Sequence, residues 1–253
     1  MDGMIVILAL GAIVAGFVQG LSGFGFSLVA MSFWAWSIEP RLAATMAVFG
    51  ALTGQIIAAV TVRRGFQLKH VLPFVAGGIV GIPIGTAILP LLDPLLFKTF
   101  LGLLLVVLCP IMLMVNQLPP ITRGGRIVDS IIGAIGGAMG ALGGFTGVVP
   151  TLWCTLRGFD KDVQRIVIQN FNLAVLLVTM ASYIATGIVT RDMLPMFAIV
   201  GPAMLIPSVL GARLYIGIKG ATFRKIVLSL LSASGVALLA ASVPKLMLRL
   251  TQV

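Results

Sequence analysis

Eight stretches of the chain pass without a single Asp, Glu, Lys, Arg or His: residues 3–38, 42–62, 71–92, 99–122, 130–156, 166–190, 193–212 and 226–244. Their apolar positions run continuously and do not alternate with polar ones, so they do not read as half-buried strands. A helix needs roughly 20 apolar residues to cross a hydrocarbon core about 30 Å thick, and each stretch approaches or exceeds that length. A lipid-spanning barrel would show alternating segments of about ten residues instead. The pattern therefore predicts an all-α, polytopic membrane protein.

The first stretch is too long for one crossing. As a single helix, residues 3–38 would measure about 54 Å at 1.5 Å per residue. Its middle reads Gly20-Leu-Ser-Gly-Phe-Gly25. Glycine in a helix costs about 1 kcal/mol relative to alanine, so the cluster predicts a break with a half-helix on either side. With no basic residue ahead of so long an apolar run, this stretch is expected to be retained and not cleaved as a leader. Residues 130–156 are interrupted in the same way at Gly143-Gly144 and Gly147. The pairs Gly16/Gly20 and Gly133/Gly137 also have the spacing of small-residue packing faces in lipid.

A shift of about 121 residues brings the two halves into register. Gly16, Leu21, Gly23 and Phe24 fall on Gly137, Leu142, Gly144 and Phe145, and Glu39 falls on Asp160. Leu72-Pro73, Ile82-Pro83 and Phe97-Lys98 then match Leu194-Pro195, Ile206-Pro207 and Phe223-Arg224, with the offset drifting to 126. Matches in constant order predict a duplication: residues 1–120 form one four-segment repeat and 121–253 the other, in one membrane domain. Charge orients them. If every segment crosses once, the 17 basic residues divide 9 to 8 between the two sides. If the first segment of each repeat returns to its own side, only Arg41, Lys98, Arg191, Lys245 and Arg249 remain on one face, a division of 12 to 5. The positive-inside rule favours that second arrangement, in which the repeats are inverted.

Composition agrees with the pattern. The chain is 59% hydrophobic and only 9% charged, too little charge for a water-facing shell. Its net charge of +10 sits in short loops between spans, as cytoplasmic retention requires, so nucleic acid is not an expected partner. Cys109 and Cys154 lie in apolar runs and read as small core residues, and His70 is the only histidine, so no cofactor or metal is expected. All seven acidic residues fall at segment ends, where they form neither a proton relay nor a sodium cage. An intramembrane enzyme would need a nucleophile and base, paired acids or a metal within reach of the midplane.

Broken segments at matching places in two repeats point to a substrate site. A break frees backbone N–H groups at a helix start, and these with the helix dipole favour an anion. The helices beginning near Phe24-Gly25-Phe26-Ser27 and Phe145-Thr146-Gly147 are expected to point such ends at each other near the midplane. Ser22, Ser27 and Thr146 add hydroxyls, with Gln19 one turn before Ser22. Thr45, Thr53 and Gln55 in the second stretch, and Gln169, Asn170 and Asn172 in the sixth, are the remaining polar positions. Asn170 and Asn172 are two residues apart, so at most one of them faces a common cavity. The expected substrate-binding set is Gln19, Ser22, Gly23, Gly25, Ser27, Gly143, Gly144, Thr146, Asn170 and Asn172.

The duplicated openings, Gly16-Phe-Val-Gln-Gly-Leu-Ser-Gly-Phe-Gly and Gly136-Gly-Ala-Met-Gly-Ala-Leu-Gly-Gly-Phe-Thr-Gly, resemble those of the TauE/SafE sulfite exporter family. So do the chain length, Pro150 after the second motif, and the Leu-Pro and Pro-x-Gly elements of both halves. The resemblance spans essentially the whole chain. It implies a secondary carrier of a bacterial inner membrane that moves sulfite, sulfoacetate or related organosulfonates. It carries over Ser22, Gly23, Gly25, Gly143, Gly144 and Thr146, while Phe24 and Phe145 interrupt the family's glycine run. An anion channel and a non-transporting membrane subunit stay open beside the carrier, as does assembly into a homo-oligomer.

Overall fold

A computed structural model of the chain describes residues 2–22, 25–61, 65, 67–115, 121, 124–214 and 220–251. Among them are ten α-helices and no strand: α1 (Asp2–Ser22), α2 (Phe26–Trp34), α3 (Pro40–Thr61), α4 (Leu68–Ile88), α5 (Pro94–Met114), α6 (Arg126–Gly143), α7 (Val148–Leu156), α8 (Lys161–Ala185), α9 (Leu194–Leu214) and α10 (Gly220–Thr251). Eight of them, all but α2 and α7, are long and apolar enough to cross a membrane. Large apolar side chains such as Val80 and Leu230 stay exposed on the outside, as lipid-facing positions do.

The breaks in the first and fifth stretches are real, but their arms are unequal. The expected half-helices are instead a span-length arm of 21 residues (α1) followed by one of 9 (α2), and one of 18 (α6) followed by one of 9 (α7). Charge alone also misplaces some ends. The helix α6 starts at Arg126 and takes in Asp129, and α10 runs on past Lys245 to Thr251. Both termini carry charge because a helix's outer turns can stand in the polar interface. The helices α4 and α9 continue through Pro83 and Pro207.

Each short arm folds back along its long one. In the first hairpin, the Trp34 Nε1–H donates to the Leu8 carbonyl (3.2 Å) near the open end, and the Phe26 N–H donates to Gln19 Oε1 (3.2 Å) at the tip. In the second, the Trp153 Nε1–H donates to Asp129 Oδ1 (2.8 Å), and Arg157 lies 3.4 Å from the same carboxylate. Contacts between distant segments place the open ends. At one end of the bundle Lys98 Nζ donates to the Trp36 carbonyl (3.1 Å), Arg41 Nε to that of Ile188 (3.0 Å), and Arg249 pairs with Asp93. At the other, the Ile121 N–H donates to the Leu156 carbonyl (2.6 Å), Asn170 Nδ2 to that of Gly65 (3.3 Å), and the His70 and Phe159 rings meet edge to face. The first hairpin thus opens at the first end and the second at the opposite one.

Glycine seams hold the hairpins to the rest. Gly77, Gly81 and Gly85 of α4 lie against the backbone carbonyls of Ser130, Ala134 and Ala138 of α6, and Gly133 and Gly137 lie against those of Phe74 and Gly78. Gly16 and Gly20 of α1 meet the backbone of Met204 and Ser208 of α9, where Ser208 Oγ also donates to the Gly16 carbonyl (2.9 Å). Lipid offers apolar side chains no reason to leave it, so close backbone packing does much of the work of association here. We expect Gly81→Leu to lower the thermal stability of the purified protein strongly, because overpacking costs about 1–3 kcal/mol or more. Gly3→Leu is the control: a Cβ at Gly3 meets nothing within 4 Å. Equal melting temperatures for the two variants would contradict the seam.

Candidate functional site

The tips of the two hairpins meet at a cavity of about 50 Å³. Its walls come from Gln19 of α1, Gly25–Leu28 at the start of α2, Gly144–Val148 and Thr151 around the start of α7, and Met112 of α5. Ala51 and Gln55 of α3 and Ile168, Asn172 and Leu176 of α8 complete it. Among the described residues, no lining side chain is charged.

Two glycines make the turns. Gly25 has φ 92° and Gly144 has φ 77°, the left-handed region that a Cβ disfavours. Gly144 closes α6 by donating its N–H to the Gly140 carbonyl (2.6 Å), and a Cβ on it would strike Ser27 Oγ. The second break is thereby seated directly on the first turn of α2.

Five of the polar side chains are buried, and Thr151 is half-buried. Gln19 Oε1 caps α2 through the Phe26 N–H, and Ser27 Oγ donates a long hydrogen bond to the Ala47 carbonyl (3.4 Å). Thr146 Oγ1 donates to Asn172 Oδ1 (2.9 Å). A Cβ at Gly147 would come within 2.8 Å of Asn172 Nδ2, so that glycine makes room for the amide. Gln19, Ser27, Gln55, Thr146 and Asn172 are each under a tenth exposed. The Ser27 and Thr146 hydroxyl protons are already spent, so the amides and the starts of α2 and α7 are what this polar, uncharged lining offers to an anion. Residues able to hold a metal, in groups of three or more His, Cys, Asp or Glu, do not occur among the described residues.

Of the residues expected from sequence, Gln19, Gly25, Ser27, Gly144, Thr146 and Asn172 come together here. Gly143 ends α6 beneath the Phe145 ring and does not line the cavity. Asn170 points elsewhere, donating to the carbonyls of Gly65 and Ile166. Gly23 and the side chain of Ser22 lie outside the described residues. Two lining residues, Gln55 and Thr151, were not in the expected set. Thr45 and Thr53 bond back to their own helix at the carbonyls of Arg41 and Phe49, whereas Gln55 reaches the cavity.

A regularity of the wall could have singled out Gln55. Residues 121 apart in sequence line the cavity in pairs: Gly25 with Thr146, Phe26 with Gly147, Ser27 with Val148, Ala51 with Asn172, and Gln55 with Leu176. Apart from Phe26 with Gly147, one member of each pair carries a polar side chain and the other does not.

Eight span-length helices, four of which line an uncharged cavity together with the two short arms, make this an integral, polytopic, all-α membrane protein. It belongs to the TauE/SafE family: the family described as "Sulfite exporter TauE/SafE" matches residues 8–238, from within the first hairpin to within α10. Membership implies a membrane exporter of sulfite or a related sulfur anion, not an enzyme. No curated protein and no solved structure matches the chain.

Proposed function

We propose that the protein is a secondary transporter of a bacterial inner membrane whose substrate is a small sulfur-containing anion, bound between the hairpin tips. The observation that carries this reading is the cavity itself: lined by described residues without charge, and walled by two helix starts with buried hydroxyl and amide side chains. A buried lysine or arginine would cost several kcal/mol to desolvate, whereas backbone and amide dipoles meet an anion without that cost. The volume of about 50 Å³ is a third of the roughly 150 Å³ apolar cavity known to admit benzene. That favours sulfite over sulfoacetate and longer organosulfonates.

The chain is read as two inverted repeats, 1–120 and 121–253. Support comes from hairpins that open at opposite ends and from helix pairings that exchange under the duplication: α1 with α9, and α6 with α4. The end holding Leu156 and Gly65 is the one rich in basic residues, so it is assigned to the cytoplasm.

The test is counterflow of labelled sulfite and sulfoacetate in proteoliposomes holding this protein alone. Saturable exchange, with sulfite preferred, is the expected result. Flux that rises linearly with concentration would favour a channel. Absence of flux for any anion of a broad panel, with the protein folded and inserted, would overturn transport and leave a membrane subunit.

A further inference from the structure

The cavity's paired lining bears on which residues touch the substrate, an inference that rests on the transport reading. Gln55 and Leu176 are 121 residues apart, hold the same place on α3 and α8, and both face the cavity. Ala51 and Asn172, one turn earlier on the same two helices, repeat the relation. The interval recurs outside the cavity. Trp34 fastens the first hairpin at Leu8 and Trp153 fastens the second at Asp129, and Leu8 and Asp129 are again 121 apart.

We propose that the cavity lies on a pseudo-two-fold axis between the two halves, and that Gln55 is a substrate-binding residue whose amide works equally well when moved across that axis to position 176. A ligand on such an axis sees two walls of equivalent backbone, so a donor of the same length reaches it from either side. The pairs fit this placement, because at both levels an amide stands opposite an apolar residue: Gln55 opposite Leu176 and Asn172 opposite Ala51. Two amides in register would crowd a space of about 50 Å³, and an apolar mate leaves each one room. Gln55 is buried and supplies N–H groups to an anion without the desolvation cost of a charge. Leucine and glutamine are close in size, so the exchange keeps the space filled, and the buried amide at position 176 depends on the anion for its partner.

The experiment compares wild type, Gln55→Leu, Leu176→Gln and the double exchange in proteoliposomes, with labelled sulfite as the probe. Folding of each is checked by gel filtration and circular dichroism. Gln55→Leu should raise the apparent KM about tenfold or more, the usual loss when a hydrogen bond to a charged group is removed. The double exchange should return KM to within about threefold of wild type, since the hydrogen bond is restored. The axis adds a second readout. The double exchange should reverse any difference in KM between the two faces of the membrane, which a merely structural role would not do. An unchanged KM in Gln55→Leu, or a folded double exchange that recovers nothing, overturns the proposal while transport by wild type stands. Wild type that moves no anion removes the transport reading and this proposal together. If the Gln55/Leu176 exchange does not fold, Gln55→Leu alone still reads the role of Gln55, and Ala51→Asn with Asn172→Ala tests the axis at the neighbouring pair.

Discussion

Asn172→Asp should fold and yet lose nearly all sulfite flux. The new carboxylate keeps an oxygen for the Thr146 hydroxyl, which now donates to Asn172 Oδ1, so the hydrogen bond that holds this side chain survives. What changes, at a pH high enough to ionise this buried carboxyl, is the field in the cavity. Like charges about 4 Å apart repel by roughly 4 kcal/mol at an effective dielectric of 20, about a thousandfold in occupancy. The control lies two residues away. Asn170→Asp carries the same change of charge, but Asn170 bonds to the carbonyls of Gly65 and Ile166 and does not line the cavity. Its flux should fall several-fold at most, since a charge on a half-exposed side chain is screened. Flux assays on the two variants, at equal folded protein, make the comparison. If both lose flux equally, or neither does, the cavity is not the path of the anion.

Gly144→Ala should cost about 2–5 kcal/mol of stability for a single added methyl group. Two costs coincide at this position. At φ 77° a Cβ is opposed by its own backbone, which costs about 1–2 kcal/mol. The same Cβ would strike Ser27 Oγ, and overpacking of this kind adds about 1–3 kcal/mol. Gly25→Ala separates the terms, because Gly25 has φ 92° with nothing within 4 Å of a Cβ. It should show the backbone cost alone. Adding Ser27→Ala to Gly144→Ala removes the struck oxygen and should recover part of the loss. Melting temperatures in detergent rank the variants: Gly144→Ala lowest, then the double variant, then Gly25→Ala. A Gly144→Ala protein as stable as Gly25→Ala would mean that the two hairpin tips are not in contact.

Much of this was legible in the residues, and the failures have physical causes. Every membrane-length helix could be located because lipid forbids charge in mid-span, and that leaves gaps a reader can see. The same rule misled at the margins. Asp129 and Lys245 lie inside helices, since the outer turns of a span can hold charge and a charge-free count stops short of them. Glycine was read in two ways, as breaker and as packing face, and one segment uses both: Gly16 and Gly20 meet α9, and Gly25 turns the chain a few residues later. The choice between Asn170 and Asn172 could be posed from helical geometry but not decided, because which face of α8 looks inward depends on its neighbours. Gln55 was visible only as one polar residue among several. Its relation to Leu176 acquires meaning once both are seen on one wall.

The glycine seams carry a mechanical consequence. They join α1 to α9 and α6 to α4, so each hairpin is laced to a helix borrowed from the other half of the chain. The halves therefore cannot rock against each other as two blocks without tearing both seams. The natural rigid bodies are chimeric, one hairpin together with its borrowed helix, and their surfaces of separation run between α1–α2–α9 and α4–α6–α7. On this view the proposed repeats and the proposed moving parts do not share a boundary. A cross-link that ties α1 to α9 away from the seam glycines should leave turnover intact, whereas one that ties the two hairpin tips together should arrest it.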